Sequence, residues 1–328
     1  MAGFDNILGN DRIKYHFKKA IETDRVAHAY ILNGPKGMGK IKMAERFAMM
    51  LLCEKHEPCM SCKSCIQAKA GSNPDILYLE PDKPRIMSVE YVRDKLVNDI
   101  QIRPYAYGKK IYIVKNADCM NIQAQNAMLK TLEEPPGYGV IMLLTNNAEK
   151  MLPTVRSRCI EFNMQPLKKE VIKEYLMSKD QIVDYQAEVA ASFAAGNLGR
   201  AKELATSEEF GGMLSEVISV MKYIKDMPSY EVVAAVKRAE EYKLNYTDYL
   251  DLMILWFRDV LVYKASQDVD GLLFKQEITE IKKHAQSSSY NGIQEIIAAI
   301  EKAKVRIEAN VNFNTAIELM YYTIRDNI

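Results

Sequence analysis

The sequence has no surplus of charge. Its 44 Lys and Arg against 43 Asp and Glu leave a net charge of +1, which gives no electrostatic case for a nucleic-acid coat or a membrane surface and leaves room only for a local basic patch. It also lacks a long uninterrupted apolar run. The richest stretch, residues 250–262, is broken by Asp251, Arg258 and Asp259 and reads as a buried helix, not a membrane span. The N-terminal Met-Ala-Gly-Phe-Asp-Asn has no basic segment followed by an apolar one, so no signal peptide is expected. No repeat of fixed period and no low-complexity segment stands out. Cysteines number six, and four of them cluster, which points to a metal site in a reducing compartment and away from a disulfide scaffold. The expected location is the cytoplasm. What remains is ordinary for a globular chain: 328 residues, 48% hydrophobic and 27% charged, enough for two or three domains.

A missing hydroxyl is more informative. Gly34-Pro-Lys-Gly-Met-Gly39-Lys40 matches the phosphate-loop pattern G-x-x-x-x-G-K, but Ile41 stands where Ser or Thr should follow. That hydroxyl normally holds Mg²⁺ on a nucleotide, and a sec-butyl group cannot coordinate a hard cation. The bland alternative is a Gly-rich strand–helix turn that never meets phosphate. Gly34, Gly39 and Lys40 therefore read as a degenerate loop, with weak or no nucleotide binding.

Along the first half, short apolar runs alternate with amphipathic ones. Strands are expected at 27–32, 75–79, 110–114 and 140–145, and helices at 41–52, 88–100 and 121–133, the second capped by Ser88 and the third stopped by Pro135-Pro136. Such alternation implies a mostly parallel sheet covered on both faces. After about Leu167 no strand is convincing. Helices are expected at 168–179, 182–195, 213–225, 229–243, 246–265, 274–285, 291–309 and 315–325.

Cys53, Cys59, Cys62 and Cys65 place four thiols within thirteen residues. Zinc prefers four tetrahedral ligands and suits thiolate, and a local set of four leaves no position open for water. The expected role is structural Zn²⁺, stapling an insertion after the first helix of the phosphate loop. Four unrelated thiols are the plainer alternative. Cys119 and Cys159 lie apart and read as small buried residues.

An active phosphate-loop enzyme also needs carboxylates at the end of a neighbouring strand. Strand 110–114 is followed instead by Lys115 and Asn116, with Asp118 two to three residues late and expected to cap the next helix. Ile41, Lys115 and Asn116 thus all miss the same ion.

Together these residues resemble bacterial replicative clamp loaders of the AAA+ family. The resemblance is carried by His28 through Lys40, by the 53–65 cysteines, by Gln125-Asn-Ala-Met-Leu-Lys-Thr-Leu-Glu-Glu-Pro-Pro136, and by Leu152-Pro-Thr-Val-Arg-Ser-Arg-Cys159, and runs weakly to Asn310-Val-Asn-Phe-Asn314. It implies an α/β AAA+ P-loop domain over 1–166 with a parallel sheet and a zinc-binding insertion at 53–65, a small helical lid over 167–210, and an all-α collar over 211–328 for oligomerisation. It implies a hetero-pentamer with tau/gamma motor subunits and a delta subunit, reaching the sliding clamp and primed DNA through the complex, with no membrane partner. Within that family the degraded metal site points to the non-catalytic stator, with the ATP-hydrolysing tau/gamma-type motor as the alternative. Ser157-Arg158-Cys159 matches the family's S-R-C motif, so Arg158 is expected to act in trans as an arginine finger on a neighbour's γ-phosphate. A surface arginine paired with Glu161 or solvent is the alternative. Arg200 matches a phosphate-sensing arginine of the lid, and Thr145 and Asn146 match the end of a sensor strand. A zinc-dependent DNA-binding module is a third reading, disfavoured by the neutral charge and the absence of aromatic–basic interleaving around the cysteines.

Overall fold

The structure, a computed structural model, describes residues 3–328. The chain divides into two compact units, one of residues up to 168 together with 195–200, the other of residues 169–194 and 201–328.

The first unit carries, in order, α1 (Asp11–Glu22), β1 (Ala29–Asn33), α2 (Lys40–Leu52), α3 (Lys63–Lys69), β2 (Ile76–Leu79), α4 (Val89–Val92), β3 (Lys110–Val114), α5 (Ile122–Ala127), α6 (Leu129–Glu133), β4 (Gly139–Thr145), α7 (Pro153–Arg156) and β5 (Ile160–Asn163). The five strands form one parallel sheet in the order β2-β3-β4-β1-β5. Every residue of β3 and β4 is buried, as expected where both faces are covered and a strand reads as a continuous apolar run. The period of two still assigns sides. Tyr30 and Leu32 of β1 face a core with Phe17 and Phe47, while Ala29 and Ile31 face one with Val92 and Met128.

Four expected strands are present, and β5 was not foreseen. Ile160-Glu161-Phe162-Asn163 alternates apolar and polar residues, but over only four positions that are half-buried or exposed; pairing with β1 alone makes it an edge. The helix expected at 88–100 begins as foreseen, with Ser88 Oγ accepting from the Tyr91 amide at 3.3 Å, but passes through a π turn at Arg93–Asn98 and a 3₁₀ turn at Asp99–Gln101. The helix expected at 121–133 breaks at buried Met128, where ψ is −8°. Asp118 does not cap it. Asn121 does, its Oδ1 accepting from the Ala124 amide at 2.8 Å. The helices α1, α3 and α7 were also not read from the sequence.

The second unit is helical, and no strand follows Asn163 among the described residues. It holds α8 (Lys169–Lys179), α9 (Asp184–Phe193), α10 (Leu198–Thr206, whose first residues belong to the first unit), α11 (Glu208–Tyr223), α12 (Ser229–Ala239), α13 (Tyr246–Ser266), α14 (Ile278–Ser287), α15 (Tyr290–Glu308) and α16 (Phe313–Asn327). Trp256, Phe257, Tyr249 and Tyr321 are fully buried in its core. Two of the core's polar groups are matched internally: the Tyr249 and Tyr321 hydroxyls lie 2.6 Å apart, and buried Asp259 accepts from the Leu273 and Phe274 amides at 2.6 and 2.7 Å.

Candidate functional site

The phosphate loop leaves the carboxyl end of β1 and enters α2, the place where open α/β sheets bind ligands. Gly37 and Gly39 have φ of +94° and +87°, left-handed values that glycine reaches without strain. Gly39 precedes α2 and offers no side-chain cap, so the first amides of that helix face the loop.

The lysine of this loop is fully engaged. Lys40 is 8% exposed, and its ammonium donates to the Gly34 carbonyl, to the Pro35 carbonyl at 3.0 Å and to Asn146 Oδ1 at 3.0 Å. An ammonium has three hydrogens to give, so these partners use them all. Burial lowers its pKa to about 8, against the opposing pull of the Asp118 carboxylate. Asp118 Oδ1 in turn accepts from the Asn146 amide at 3.1 Å and Thr145 Oγ1 at 3.3 Å. Asn146 therefore joins the two charges, its side chain on Lys40 and its backbone on Asp118. Thr145, Asn146, Lys40 and Asp118, scattered in the sequence, meet here.

The three positions without a metal-binding oxygen of the usual kind are turned elsewhere or exposed. Ile41 is 41% exposed. Lys115 turns to Glu80, with Nζ–Oε1 at 2.5 Å, and lies 5.0 Å from the Tyr78 ring centre. Asn116 takes a left-handed φ of +50° and starts a 3₁₀ turn, Ala117–Cys119.

A strap missed by sequence reasoning lies across the outer side of this loop. Asn197 Nδ2 donates to the Lys36 carbonyl at 2.7 Å, and the Gly199 amide donates to the Gly37 carbonyl at 3.0 Å. A Cβ on Gly199 would sit 2.5 Å from Gly37 Cα, so the two backbones meet only because both residues are glycine. The strap's Arg200 donates its amide to Asn197 Oδ1 at 3.1 Å. The spacing Gly196-x-x-Gly199-Arg200 was the available signal.

Arg158 shares no hydrogen-bond partner with that network. It follows α7, where its NH1 donates to the Thr154 carbonyl at 2.7 Å and its NH2 to Glu133 Oε1 at 2.7 Å, with side chains 34% and 50% exposed. Glu161, the partner weighed from the sequence, is taken by Arg156 through bonds of 2.9 and 3.3 Å.

The four thiols converge. All four Sγ atoms lie within 4.8 Å of one another, with Cys59–Cys65 and Cys53–Cys62 at 4.0 Å. Tetrahedral zinc with Zn–S bonds of about 2.3 Å would hold its sulfurs about 3.8 Å apart, so the set fits such an ion with a small contraction. A disulfide would need sulfurs at about 2.05 Å. Cys62 caps α3, accepting from the Cys65 amide at 3.4 Å, and the Cys62 amide donates to Cys59 at 3.3 Å. The Ser61 hydroxyl and amide contribute most to drawing the Cys59 pKa down to about 5, whereas burial pushes that of Cys65 up to about 12. Cys53, at the end of α2, and Cys65 pack against Met49, so the cluster is fastened to the helix that follows the phosphate loop.

Comparison with known proteins places this geometry. A family model described as "DNA polymerase III, delta subunit" matches residues 9–168. The chain is 32% identical over 255 residues to DNA polymerase III subunit delta' of Pseudomonas aeruginosa, covering 75% of each. It is 29% identical over 312 residues to subunit delta' of Bacillus subtilis, covering 94% of this chain and 93% of the relative. With subunit tau of Bacillus subtilis the identity is 28% over 325 residues, 92% of this chain and 57% of tau.

Proposed function

The chain belongs to the clamp-loader AAA+ family that includes DNA polymerase III subunit delta', and from that membership we propose that it is the loader's stator. It hydrolyses no ATP, helps load the sliding clamp onto primed DNA in the cytoplasm, and lends Arg158 to the ATP held by a neighbouring motor subunit. The observation that carries this reading is the closure of the phosphate loop: Lys40 gives its hydrogens to Gly34, Pro35 and Asn146, and no carboxylate stands at residues 115 and 116, where Mg²⁺ would need one.

The chemistry of Arg158 follows from its type and exposure. A guanidinium is always charged and presents a planar fork, which matches the charge spread over phosphoryl oxygens in the transition state. Supplied from outside the subunit that binds ATP, it makes hydrolysis conditional on assembly. Its partners here are the Thr154 carbonyl, the Ser157 hydroxyl and one exposed carboxylate, Glu133, which leave the guanidinium within reach of a phosphate.

The remaining assignments complete the reading. Residues 1–166 form the AAA+ module, 167–210 the lid and 211–328 the collar that joins tau/gamma motors and delta in a hetero-pentamer. Cys53, Cys59, Cys62 and Cys65 would hold structural Zn²⁺, which would stiffen the insertion after α2. The test is ATP turnover of the purified chain, alone and then mixed with motor and delta subunits, clamp and primed DNA. No turnover alone, with Arg158-dependent turnover in the mixture, supports the stator. Robust turnover alone that disappears in Lys40→Ala replaces it with the tau/gamma-type motor, a reading kept in view by the retained Gly34, Gly39 and Lys40 and by the likeness to tau.

A further inference from the structure

Two arginines stand two residues apart after α7 and are held differently. Arg156 is closed by Glu161, with Nε and NH2 each on a carboxylate oxygen. Arg158 is held at the tips of its fork, NH1 by Thr154 O and NH2 by Glu133 Oε1. Both partners sit next to packed residues. Thr154 lies in α7 beside fully buried Val155, and Glu133 ends α6 beside buried Thr131 and Leu132, just before Pro135-Pro136. An arginine side chain has several rotatable bonds, and holding it in one pose before a partner arrives reduces the entropy lost on contact.

We propose that Glu133 is a positioning residue for Arg158: its carboxylate, fixed by α6, orients the guanidinium toward the phosphate of a neighbouring subunit. This rests on the reading that Arg158 acts in trans. Glu133 touches no reacting atom and acts only through the arginine. A carboxylate this exposed can share the fork with an incoming phosphate, whose greater negative charge makes it the stronger acceptor.

The experiment is ATP turnover by the loader assembled with Glu133→Ala, Glu133→Gln, Arg158→Ala and the Glu133→Ala/Arg158→Ala pair, in the presence of clamp and primed DNA. Glu133→Ala is expected to lower kcat about tenfold with KM for ATP unchanged, the signature of a misplaced transition-state group. Glu133→Gln keeps an acceptor oxygen on the same mount and is expected to restore kcat to within about threefold. In the pair, Glu133→Ala should add nothing to Arg158→Ala. A kcat that Glu133→Ala leaves unchanged or raises overturns the positioning role. So does an equal loss from Glu133→Ala whether or not Arg158 is present. If Arg158→Ala itself leaves turnover unchanged, the in-trans reading fails and this inference with it. A loss on Arg158→Ala without one on Glu133→Ala removes the positioning role alone.

Discussion

The phosphate loop and Arg158 handle positive charge in opposite ways. Lys40 is buried, its three hydrogens satisfied by its own chain and its neighbour Asp118 tied to Thr145 and Asn146. Arg158 is part exposed and donates to one carboxylate, one carbonyl and the Ser157 hydroxyl. A nucleotide entering the loop would have to displace hydrogen bonds that a mostly buried ammonium already makes. A phosphate meeting Arg158 would displace little. The difference is one of access: the loop lysine is bonded within its own chain, whereas Arg158 stays partly open, which is what the proposed stator would require.

Four measurements break or sharpen that contrast. Arg158→Ala is expected to leave the isolated subunit folded and to lower turnover at the motor site it serves by about 10³-fold; unchanged clamp-stimulated hydrolysis would collapse the distinction between the two cations. Cys62→Ser is expected to release zinc and unfold the 53–65 module, because a structural site contributes its binding energy to folding. Native mass spectrometry checks it, and a fully folded variant without metal in either form would remove the zinc assignment. Gly199→Ala forces a methyl to within 2.5 Å of Gly37 and is expected to cost about 1–3 kcal/mol, with faster hydrogen exchange in the phosphate loop. Equal exchange in both proteins would mean that the strap does not hold the loop.

The smallest effect concerns Lys40. Its pKa is lowered to about 8 in the fold, whereas an unfolded lysine titrates near ~10.4. Between those values the unfolded chain binds more protons, so stability rises as pH climbs through that window and is flat below it. Lys40→Met should abolish the rise and, by leaving three carbonyl acceptors without their donor, lower unfolding free energy by about 1–2 kcal/mol at neutral pH. Loader turnover should stay unchanged. A loader that slows with Lys40→Met would show that the loop still works on nucleotide.

Much of this was legible because apolar runs with both faces covered announce themselves. Residues 110–114 and 140–145 read as strands for that reason, and the four thiols read as one site because their spacing is local. The edge strand β5 was not legible, since its pairing leaves half its side chains wet. The helix expected through 121–133 was too long because nothing in its composition marks a break at Met128. Asp118 was assigned to a cap that Asn121 provides, and Arg158 was weighed against Glu161 because Glu161 is near in sequence, whereas Glu133 is near in space.

The sequence by itself determined which ligands the phosphate loop lacks: residue 41 carries no hydroxyl and residues 115 and 116 carry no carboxylate, the oxygens that usually hold Mg²⁺ in such a loop. It also placed four thiols in thirteen residues, a spacing that suits one ion, but an extended run of that length could span about 40 Å, so their meeting within 4.8 Å was decided by the fold. Only the tertiary structure decided what Lys40 and Arg158 hold instead. Those partners, Asn146 and Glu133, lie 106 and 25 residues away, and a parallel sheet brings them near through crossovers whose geometry no local pattern of residues encodes.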